Sequence, residues 1–552
     1  MKRLLFEVHR WLGIVLAVFM LIWFFSGLLI IYAGSATTSR VQQLARAETL
    51  VPETGWLSLG EAWQRSAEER KALSRKGRAE GEARSGERNP EEARAAGGER
   101  AARGTGGNVV VEARLLRQDS EPFWLVEDGR GQRFSISAAD GHLRTTSPER
   151  AVRLAKHWLD ASGSGAASQT VRYLETFERD SSVRNLDALK PFHRLAVDGA
   201  TGRELVISGR TGEVVRDSTV LDRALYWGGN WLHMFRPLDA LGWGDIRRDM
   251  LTWVSGGALI AVITGLIIGW LRWRPGWLGK PTYSEGRKQP YRAFWLRWHF
   301  WSGLIGGILT LTWALSGFLN NNPRQLFSAA NASREDSARY LGSGLPKSMA
   351  QWQPAALVDA GAEIVELSWR HLGDDAVLLG HTRDGRRLPQ PALSGTSPLA
   401  ESALLAAVGR LAGDVPIASH VVQNEYDSYY YPSHRRGTAE RPLPIVRIEL
   451  ADAGATRFYV DPLDGRLLLR QDQSRRVFRW LFSALHHWDI GWLYQRPLWD
   501  VWMVIWSLFG LVLSVTSVVI GWKRLGRTFR FGKPVARNKV PAPVLAGENQ
   551  AG

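Results

Sequence analysis

Residues His9 to Gly27 read HRWLGIVLAVFMLIWFFSG, and residues His299 to Gly317 read HFWSGLIGGILTLTWALSG. Both segments begin with a histidine and continue as apolar runs. A helix needs about 20 apolar residues to cross a bilayer, and each segment approaches that length. Seven residues coincide at a constant offset of 290, which indicates an internal repeat. The matched pairs are His9/His299, Trp11/Trp301, Gly13/Gly303, Leu21/Leu311, Trp23/Trp313, Ser26/Ser316 and Gly27/Gly317.

Two more apolar segments of membrane-spanning length follow, one in each half of the 552-residue chain. The sequence therefore predicts a membrane α-helical fold with four transmembrane helices that form a duplicated two-helix unit. Long polar stretches lie between these segments, so we expect most of the mass outside the bilayer. The predicted transmembrane helices cover residues 1–33, 250–272, 299–320 and 498–522.

The distribution of basic residues predicts the orientation of the chain. Seven Lys or Arg lie between Leu271 and His299, against one acidic residue, and seven more follow Trp522. Loops rich in Lys and Arg stay in the cytoplasm, so we expect both termini there and the chain in a bacterial inner membrane. The net charge of +16 then reflects anchoring at the bilayer, and no nucleic-acid partner is expected. Residues 273–298 and 523–552 are predicted to be cytoplasmic, and residues 34–249 and 321–497 periplasmic.

The two predicted periplasmic regions show the pattern of small α+β domains. Asp-Gly or Thr-Gly pairs stand between β-rich runs, which is the local chemistry of a tight hairpin. Residues 64–107 differ, because they are rich in Arg, Glu, Ala and Gly and cannot bury enough apolar surface to order themselves. We predict a mostly disordered or loosely helical insertion there. The hairpin runs are FSISAADGHLRT from Phe134, LVISGRTGEVVRDS from Leu205 and FYVDPLDGRLLLR from Phe458.

Four histidines lie near the ends of the apolar segments. His233 and His486 each follow a leucine, and they precede a closing Gly-Trp pair whose tryptophan lies 37 and 36 residues further on. The alternating direction of the helices places His9 level with His299, and His233 level with His486. Ionisable side chains beside a bilayer are costly without a function. We therefore hypothesise that each pair supplies the two axial imidazoles of one haem, with two haems across the membrane.

Other interpretations of these residues stay open. Gly13 and Gly303 lie one turn after their histidines, where glycine would let a macrocycle approach the backbone, but the same glycines suit plain helix packing. His233 and His486 lie in tryptophan-rich segments and are also consistent with an aromatic belt at the membrane interface. His487 competes with His486 for the role of ligand.

The composition excludes several other redox centres. The chain contains no cysteine, which rules out disulfides, thiolate haem ligation, Cys-bound iron–sulfur clusters and c-type haem attachment within it. No glycine-rich phosphate loop follows a predicted strand, so we find no nucleotide or flavin site. Electrons would have to come from a membrane quinol or a cytoplasmic reductase.

The C-terminal part carries a resemblance to a known family. The residues that carry it are the run EYDSYYYPSHRRGTAERPLPIVRIELADAGATRFYVDPLDGRLLLRQDQSRRVFRWLFSALHHWDIG from Glu425, then PLWD from Pro497 and GWKRL from Gly521. They resemble the PepSY-associated transmembrane family, and the order of elements agrees along the whole chain apart from the insertion.

This resemblance implies PepSY-like periplasmic domains. It also implies a function, because the family includes inner-membrane ferric-siderophore reductases that carry two b-type haems between four helices. A haem-dependent oxidoreductase that passes electrons outward to ferric-siderophore iron is therefore expected. The alternative is a non-enzymatic PepSY membrane protein that binds or inhibits a periplasmic partner such as a peptidase.

An aromatic and basic cluster near the C-terminus suggests a substrate contact. It contains Tyr429, Tyr430, His434 and Arg435, which together would suit an anionic ferric chelate. The alternative is that these residues pack against strands and expose only their ends. Tyr426, Tyr431 and Arg436 belong to the same run.

Overall fold

The computed structural model of the chain contains two compact units. The helical unit comprises Met1–Phe25, Trp253–Ala314 and Ile505–Gly552, and the sheet unit comprises Ser26–Thr252 and Leu315–Val504. The structure describes residues 2–34, 37–75, 109–161, 169–277, 279–329, 332–342, 344–357, 363–390, 399–433 and 437–528.

Four long helices have the length and apolar composition required to cross a membrane, and they confirm the four predicted transmembrane segments. Three of them extend beyond the predicted limits, because the helical backbone continues through residues that flank the apolar core. The second, for example, begins at Gly244 where residue 250 was predicted. The four membrane helices are Lys2–Ile30, Gly244–Arg272, Phe294–Asn320 and Leu498–Thr528.

A six-stranded antiparallel sheet joins the two extramembrane segments. Its order is β10-β9-β8-β1-β2-β3, with β1 and β8 paired at the centre. The sequence predicted two separate regions, whereas the strands of both contribute to one sheet and one unit. The strands are β1 (Val110–Gln118), β2 (Glu121–Asp128), β3 (Arg133–Ser137), β8 (Ile364–Leu372), β9 (Asp375–Thr382) and β10 (Arg387–Pro389).

Each extramembrane segment also forms a four-stranded antiparallel sheet that packs against one helix, as the predicted α+β pattern requires. Two of the quoted hairpin motifs form tight turns, with Gly212 and Gly465 at φ of +73° and +70°. The helices are Pro148–Asp160 and Glu401–Ala412, and the strands are β4 (Val171–Phe177), β5 (Phe192–Val197), β6 (Arg203–Ser208), β7 (Val214–Ser218), β11 (Ile417–Gln423), β12 (Ile445–Leu450), β13 (Arg457–Val460) and β14 (Leu467–Gln471).

Ion pairs hold the hairpin tips of the four-stranded sheets against the six-stranded sheet. Arg114 in β1 donates to Glu213, just after the β6–β7 turn, over 2.6 Å, and it also contacts Glu366 in β8 at 3.4 Å. In the other half, Arg370 in β8 lies 3.9 Å from Asp464 in the β13–β14 turn. These charges are largely withdrawn from solvent, so each depends on its partner.

Shorter helices connect these elements, and one enters the segment predicted to be disordered. Residues 67–75 are helical, and the Arg70 guanidinium lies 3.2 Å from the centre of the Trp63 ring. The start of the predicted insertion is therefore ordered, and residues 76–107 lie outside the described residues. The connecting helices are Arg40–Ala45, Leu59–Arg65, Ser181–Val183, Asp187–Leu189, Val220–Tyr226, Trp227–Trp231, Pro237–Ala240, Ser284–Gly286, Pro323–Gln325, Arg334–Leu341, Lys347–Gln351, Pro354–Ala356, Gln473–Phe478, Arg479–Ala484, Leu485–His487 and Gly491–Tyr494.

Replacement of Glu366 by glutamine should destabilise the sheet unit. The Glu366 side chain is 3% exposed and pairs with Arg40 and Arg114, so its neutralisation removes one of the two carboxylates that pair with the buried Arg114 guanidinium. We expect a loss of about 3 kcal/mol, measured by thermal unfolding of the full chain in detergent. Glu363→Gln is the control: Glu363 makes an exposed pair with Arg383, worth less than about 1 kcal/mol. Equal melting temperatures for the two variants would contradict the prediction.

Candidate functional site

The structure brings His9 and His299 together in the helical unit. Their ring centroids lie 6.3 Å apart and their planes are inclined by 47°. Both histidines lie near the N-terminal ends of their helices, at equivalent positions of the repeat. The pairing predicted from the sequence is therefore present in the fold.

Each of these two rings is oriented through its Nδ1 atom. His9 Nδ1 lies 2.9 Å from the carbonyl oxygen of Ala261, which can only accept, so this nitrogen carries the proton. His299 Nδ1 lies 3.3 Å from the hydroxyls of both Thr516 and Ser517. Those hydroxyls donate to carbonyls of their own helix, so His299 Nδ1 also acts as the donor. Nε2 is then the nitrogen suited to coordinate a metal.

A cavity of about 420 Å³ lies between the membrane helices beside these rings, and both histidines line it. An added Cβ at Gly265 would lie 2.6 Å from His9 Cε1, so only glycine admits the ring there. An added Cβ at Gly13 would meet nothing within 4 Å, whereas one at Gly303 would contact Leu513 at 3.4 Å. Both predicted glycines line the cavity. The backbone of Gly13 faces empty space, whereas Gly303 also packs against a neighbouring helix.

The second predicted pair, His233 and His486, is assembled in the sheet unit. The ring centroids again lie 6.3 Å apart, with planes inclined by 78°. His233 Nδ1 lies 3.0 Å from the Ser26 hydroxyl, and His486 Nδ1 lies 2.9 Å from that of Ser316. Ser26 and Ser316 are equivalent positions of the repeat. His486 is thus the histidine opposite His233, while the carbonyl of His487 accepts from the Trp499 indole.

A short π-helix precedes each histidine of the second pair. The segments are Trp227–Trp231 and Arg479–Ala484, and each ends two residues before its histidine. The extra residue per turn of a π-helix rotates the residues that follow it around the helix axis, and such turns are common at functional sites. An added Cβ at Gly229 would lie 3.1 Å from Ile30 Cγ1, so this glycine allows the π-helix to pack closely against the first membrane helix.

The spacing within both pairs fits an iron held between two imidazoles. A metal–imidazole bond of about 2 Å, with the ring centre about 1 Å further away, places two axial rings roughly 6 Å apart. Among the described residues, no group of three or more His, Asp or Glu side chains could hold a bare metal ion. Two imidazoles alone leave most coordination positions open, and a macrocycle fills them. The residues present therefore fit the predicted haem.

A family model described as the PepSY-associated TM region matches residues 6–372. The chain belongs to this family. The matched range contains His9, His233 and His299 and ends before His486. No curated protein matches the chain. Family membership and four apolar helices together make this PepSY-associated protein a multi-pass protein of the lipid bilayer.

Two residues of the predicted substrate cluster, Tyr429 and Tyr430, lie within the described part of this PepSY-associated protein. Tyr430 is fully buried, stacks on Tyr459 with ring centroids 5.4 Å apart, and donates to the carbonyl of Pro442. It is therefore a packing residue, which is the alternative that the sequence left open. Tyr429 is partly buried and packs against Trp480. His434 and Arg435 lie outside the described residues.

A buried charged cluster lies beside His486, and no pattern in the sequence predicts it. Tyr431 donates to Asp489 over 2.6 Å, and Arg479, the first residue of the second π-helix, donates to the Asp489 backbone carbonyl over 2.8 Å. Burial raises the pKa of the Asp489 carboxyl, and the nearby Arg479 opposes that shift. The cluster joins the π-helix before His486 to the loop after it.

Three histidines outside the two pairs, His193, His371 and His381, lie in strands of the sheets. His193 and His371 are buried and contact backbone carbonyls, and His381 contacts the Ser368 hydroxyl at 2.7 Å. Burial lowers the pKa of His381 to about 4, so its ring is neutral at physiological pH. These residues have structural roles.

Replacement of Gly265 by alanine should disturb the His9 ring. The new methyl group would lie 2.6 Å from His9 Cε1, closer than any relaxed contact, so the ring or a helix must move. We expect a destabilisation of about 1–3 kcal/mol in thermal unfolding followed by circular dichroism. Gly526→Ala in the fourth membrane helix meets nothing within 4 Å and should be neutral. The steric argument fails if the two variants melt together.

Proposed function

We propose that this protein is a dihaem electron-transfer protein of the bacterial inner membrane. One b-type haem would be held by His9 and His299, and the other by His233 and His486. The observation that carries the proposal is the recurrence of one geometry: two imidazole pairs, each with centroids 6.3 Å apart and each ring oriented through Nδ1. When bound, haem supplies one-electron redox chemistry.

The chain's own residues favour electron transfer over binding of small ligands. Two histidines at each site would hold the haem iron together, and such ligation favours electron transfer over binding of oxygen or substrate. Apolar side chains and glycine backbone form most of the cavity around His9 and His299. The Nδ1 hydrogen bonds fix the imidazole orientation, so little rearrangement is needed when an electron arrives or leaves.

The proposed direction of transfer follows from the basic residues. Lys2, Arg3 and the basic loop between the second and third membrane helices favour a cytoplasmic location for the ends that carry His9 and His299. His233 and His486 would then lie toward the periplasm. Electrons from a quinol or a cytoplasmic reductase would leave on that side.

We propose ferric iron held by a siderophore as the acceptor. Ferrous iron binds hard oxygen ligands less tightly than ferric iron, so reduction would release the metal for uptake. The family resemblance supports this substrate. Tyr430 is buried and therefore offers no surface to such a chelate.

One observation favours the alternative, a membrane protein that binds a periplasmic partner. Strands β4 and β11 lie at the edges of their four-stranded sheets, and each has five consecutive exposed residues. Tyr173 and Leu174 in β4, and Val421 and Val422 in β11, are among them. Exposed edge strands can pair with an extended peptide. This function would not require the paired histidines.

Removal of single histidines should remove one haem at a time. The purified wild-type protein should contain two haems per chain in a pyridine haemochrome assay. We expect His9→Ala and His299→Ala to lose one, and His233→Ala and His486→Ala to lose the other, because a single imidazole cannot hold the macrocycle as firmly. Two different reduced spectra in the two groups of variants would identify the sites.

The matched control is His487→Ala, which changes the neighbour of His486 and should keep both haems. A protein without haem absorption after purification from haem-replete cells would contradict the dihaem proposal and favour the partner-binding alternative. Loss of haem from His487→Ala but not from His486→Ala would show that the ligand is His487 and not His486.

Replacement of Ser26 or Ser316 by alanine should weaken haem binding without removing a ligand. Each hydroxyl contacts the Nδ1 of one histidine in the second pair, and loss of such a partner lowers metal affinity about tenfold to a hundredfold. Haem transfer to apomyoglobin would measure the effect as faster loss of one haem. Ser302→Ala is the control, because its hydroxyl donates to the Trp298 carbonyl in its own helix. Unchanged transfer rates in both serine variants would contradict the proposed orientation of the imidazoles.

A further inference from the structure

The cavity beside His9 and His299 carries charge of a single sign. Of the residues that line it, only Arg10 and Arg524 are charged at neutral pH, and no acidic residue is among them. Arg10 directly follows His9, and Arg524 lies near the C-terminal end of the fourth membrane helix. Both belong to the helical unit. An otherwise apolar cavity with two guanidinium groups suits a flat, apolar ligand that bears carboxylates.

Arg10 retains an unused donor. One terminal nitrogen of its guanidinium donates to Glu7, and the group lies 5.5 Å from the Trp11 ring. Its Nε is buried and has no hydrogen-bond partner within the part of the chain that the structure describes. A buried donor without an acceptor is costly, which points to an acceptor from outside the chain.

The two halves of the protein differ at the position of Arg524. Its equivalent in the first half is Arg272, because each arginine lies three residues after a glycine that lines the cavity, Gly521 and Gly269. Arg272 donates to the Tyr291 hydroxyl over 2.7 Å, and its guanidinium lies over the Phe6 ring. Arg272 does not line the cavity and packs against Tyr291 and Phe6, and Arg524 is among the residues that line it.

We propose that Arg10 and Arg524 bind the two propionate groups of the haem held by His9 and His299. This inference rests on the proposed function and adds the residues that set the in-plane orientation of the macrocycle. Guanidinium and carboxylate groups form strong, paired hydrogen bonds with a defined geometry, so two arginines at the rim of one cavity can fix two carboxylates of a bound ligand.

The test compares two ligands with the same macrocycle. Full-length protein in detergent is loaded with protohaem IX or with its dimethyl ester, which lacks the carboxylates. Haem transfer to apomyoglobin is then followed for the wild type, Arg10→Gln, Arg524→Gln and the double variant. Arg272→Gln is the matched control, because it removes the equivalent arginine of the other half.

With protohaem IX, we expect one of the two haems to leave about tenfold faster in each single variant and about a hundredfold faster in the double variant. The other haem, the Arg272→Gln control and all samples loaded with the ester should show no such change. Equal transfer rates for wild type and double variant with protohaem IX would overturn the inference. So would an acceleration of the same size with the ester, since that would indicate general damage to the site. A wild-type protein that binds no haem would instead overturn the proposed function itself.

Discussion

The distance between two imidazole rings is the constraint on which the rest of the membrane part depends. Centroids 6.3 Å apart require two helices to approach at a fixed depth, and both histidine pairs meet this requirement. Glycine supplies the necessary closeness, as at Gly265 beside His9, where a methyl group would collide with the ring. The Nδ1 hydrogen bonds then remove the remaining rotational freedom of each ring. A polar imidazole among apolar helices is stable only when such a partner is present.

The duplicated architecture distributes these partners reciprocally. The first and third membrane helices carry His9 and His299, and the second and fourth supply their Nδ1 contacts through Ala261 and Thr516. For the second pair the roles are exchanged: the first and third helices supply the serine hydroxyls, and the histidines precede the second and fourth helices. Every membrane helix therefore contributes to a histidine pair. A displacement of one helix would change the orientation of an imidazole. The geometry of the histidine pairs therefore depends on how the helices pack.

The sequence predicted the parts of this arrangement that follow from helix geometry and missed those that depend on distant contacts. His9 and His299 could be paired because apolar length, helix direction and a constant offset fix their depth. The β1–β8 pairing could not be predicted, because it joins strands from different halves and alternation within each strand does not indicate its partner. The environment of Tyr430 could not be predicted, because an aromatic run suits a binding surface and a buried stack equally well. The two π-helices have no recognisable sequence signal, apart from the consecutive glycines at 228–229 within the first of them.

The difference in length between the halves shows which part of the chain the site does not need. His9 and His233 are 224 residues apart, and His299 and His486 are 187 apart, so the first half is longer by 37 residues. From β1 onward, the offset between equivalent positions of the two halves is nearly constant. Strands β1 and β8 begin 254 residues apart, and His233 and His486 are 253 residues apart. The extra residues therefore lie before β1, where the arginine- and glutamate-rich insertion occurs. Lengthening a loop costs little free energy, since the closure entropy grows only with the logarithm of its length. The insertion can thus be accommodated without shifting a strand, a membrane helix or a histidine.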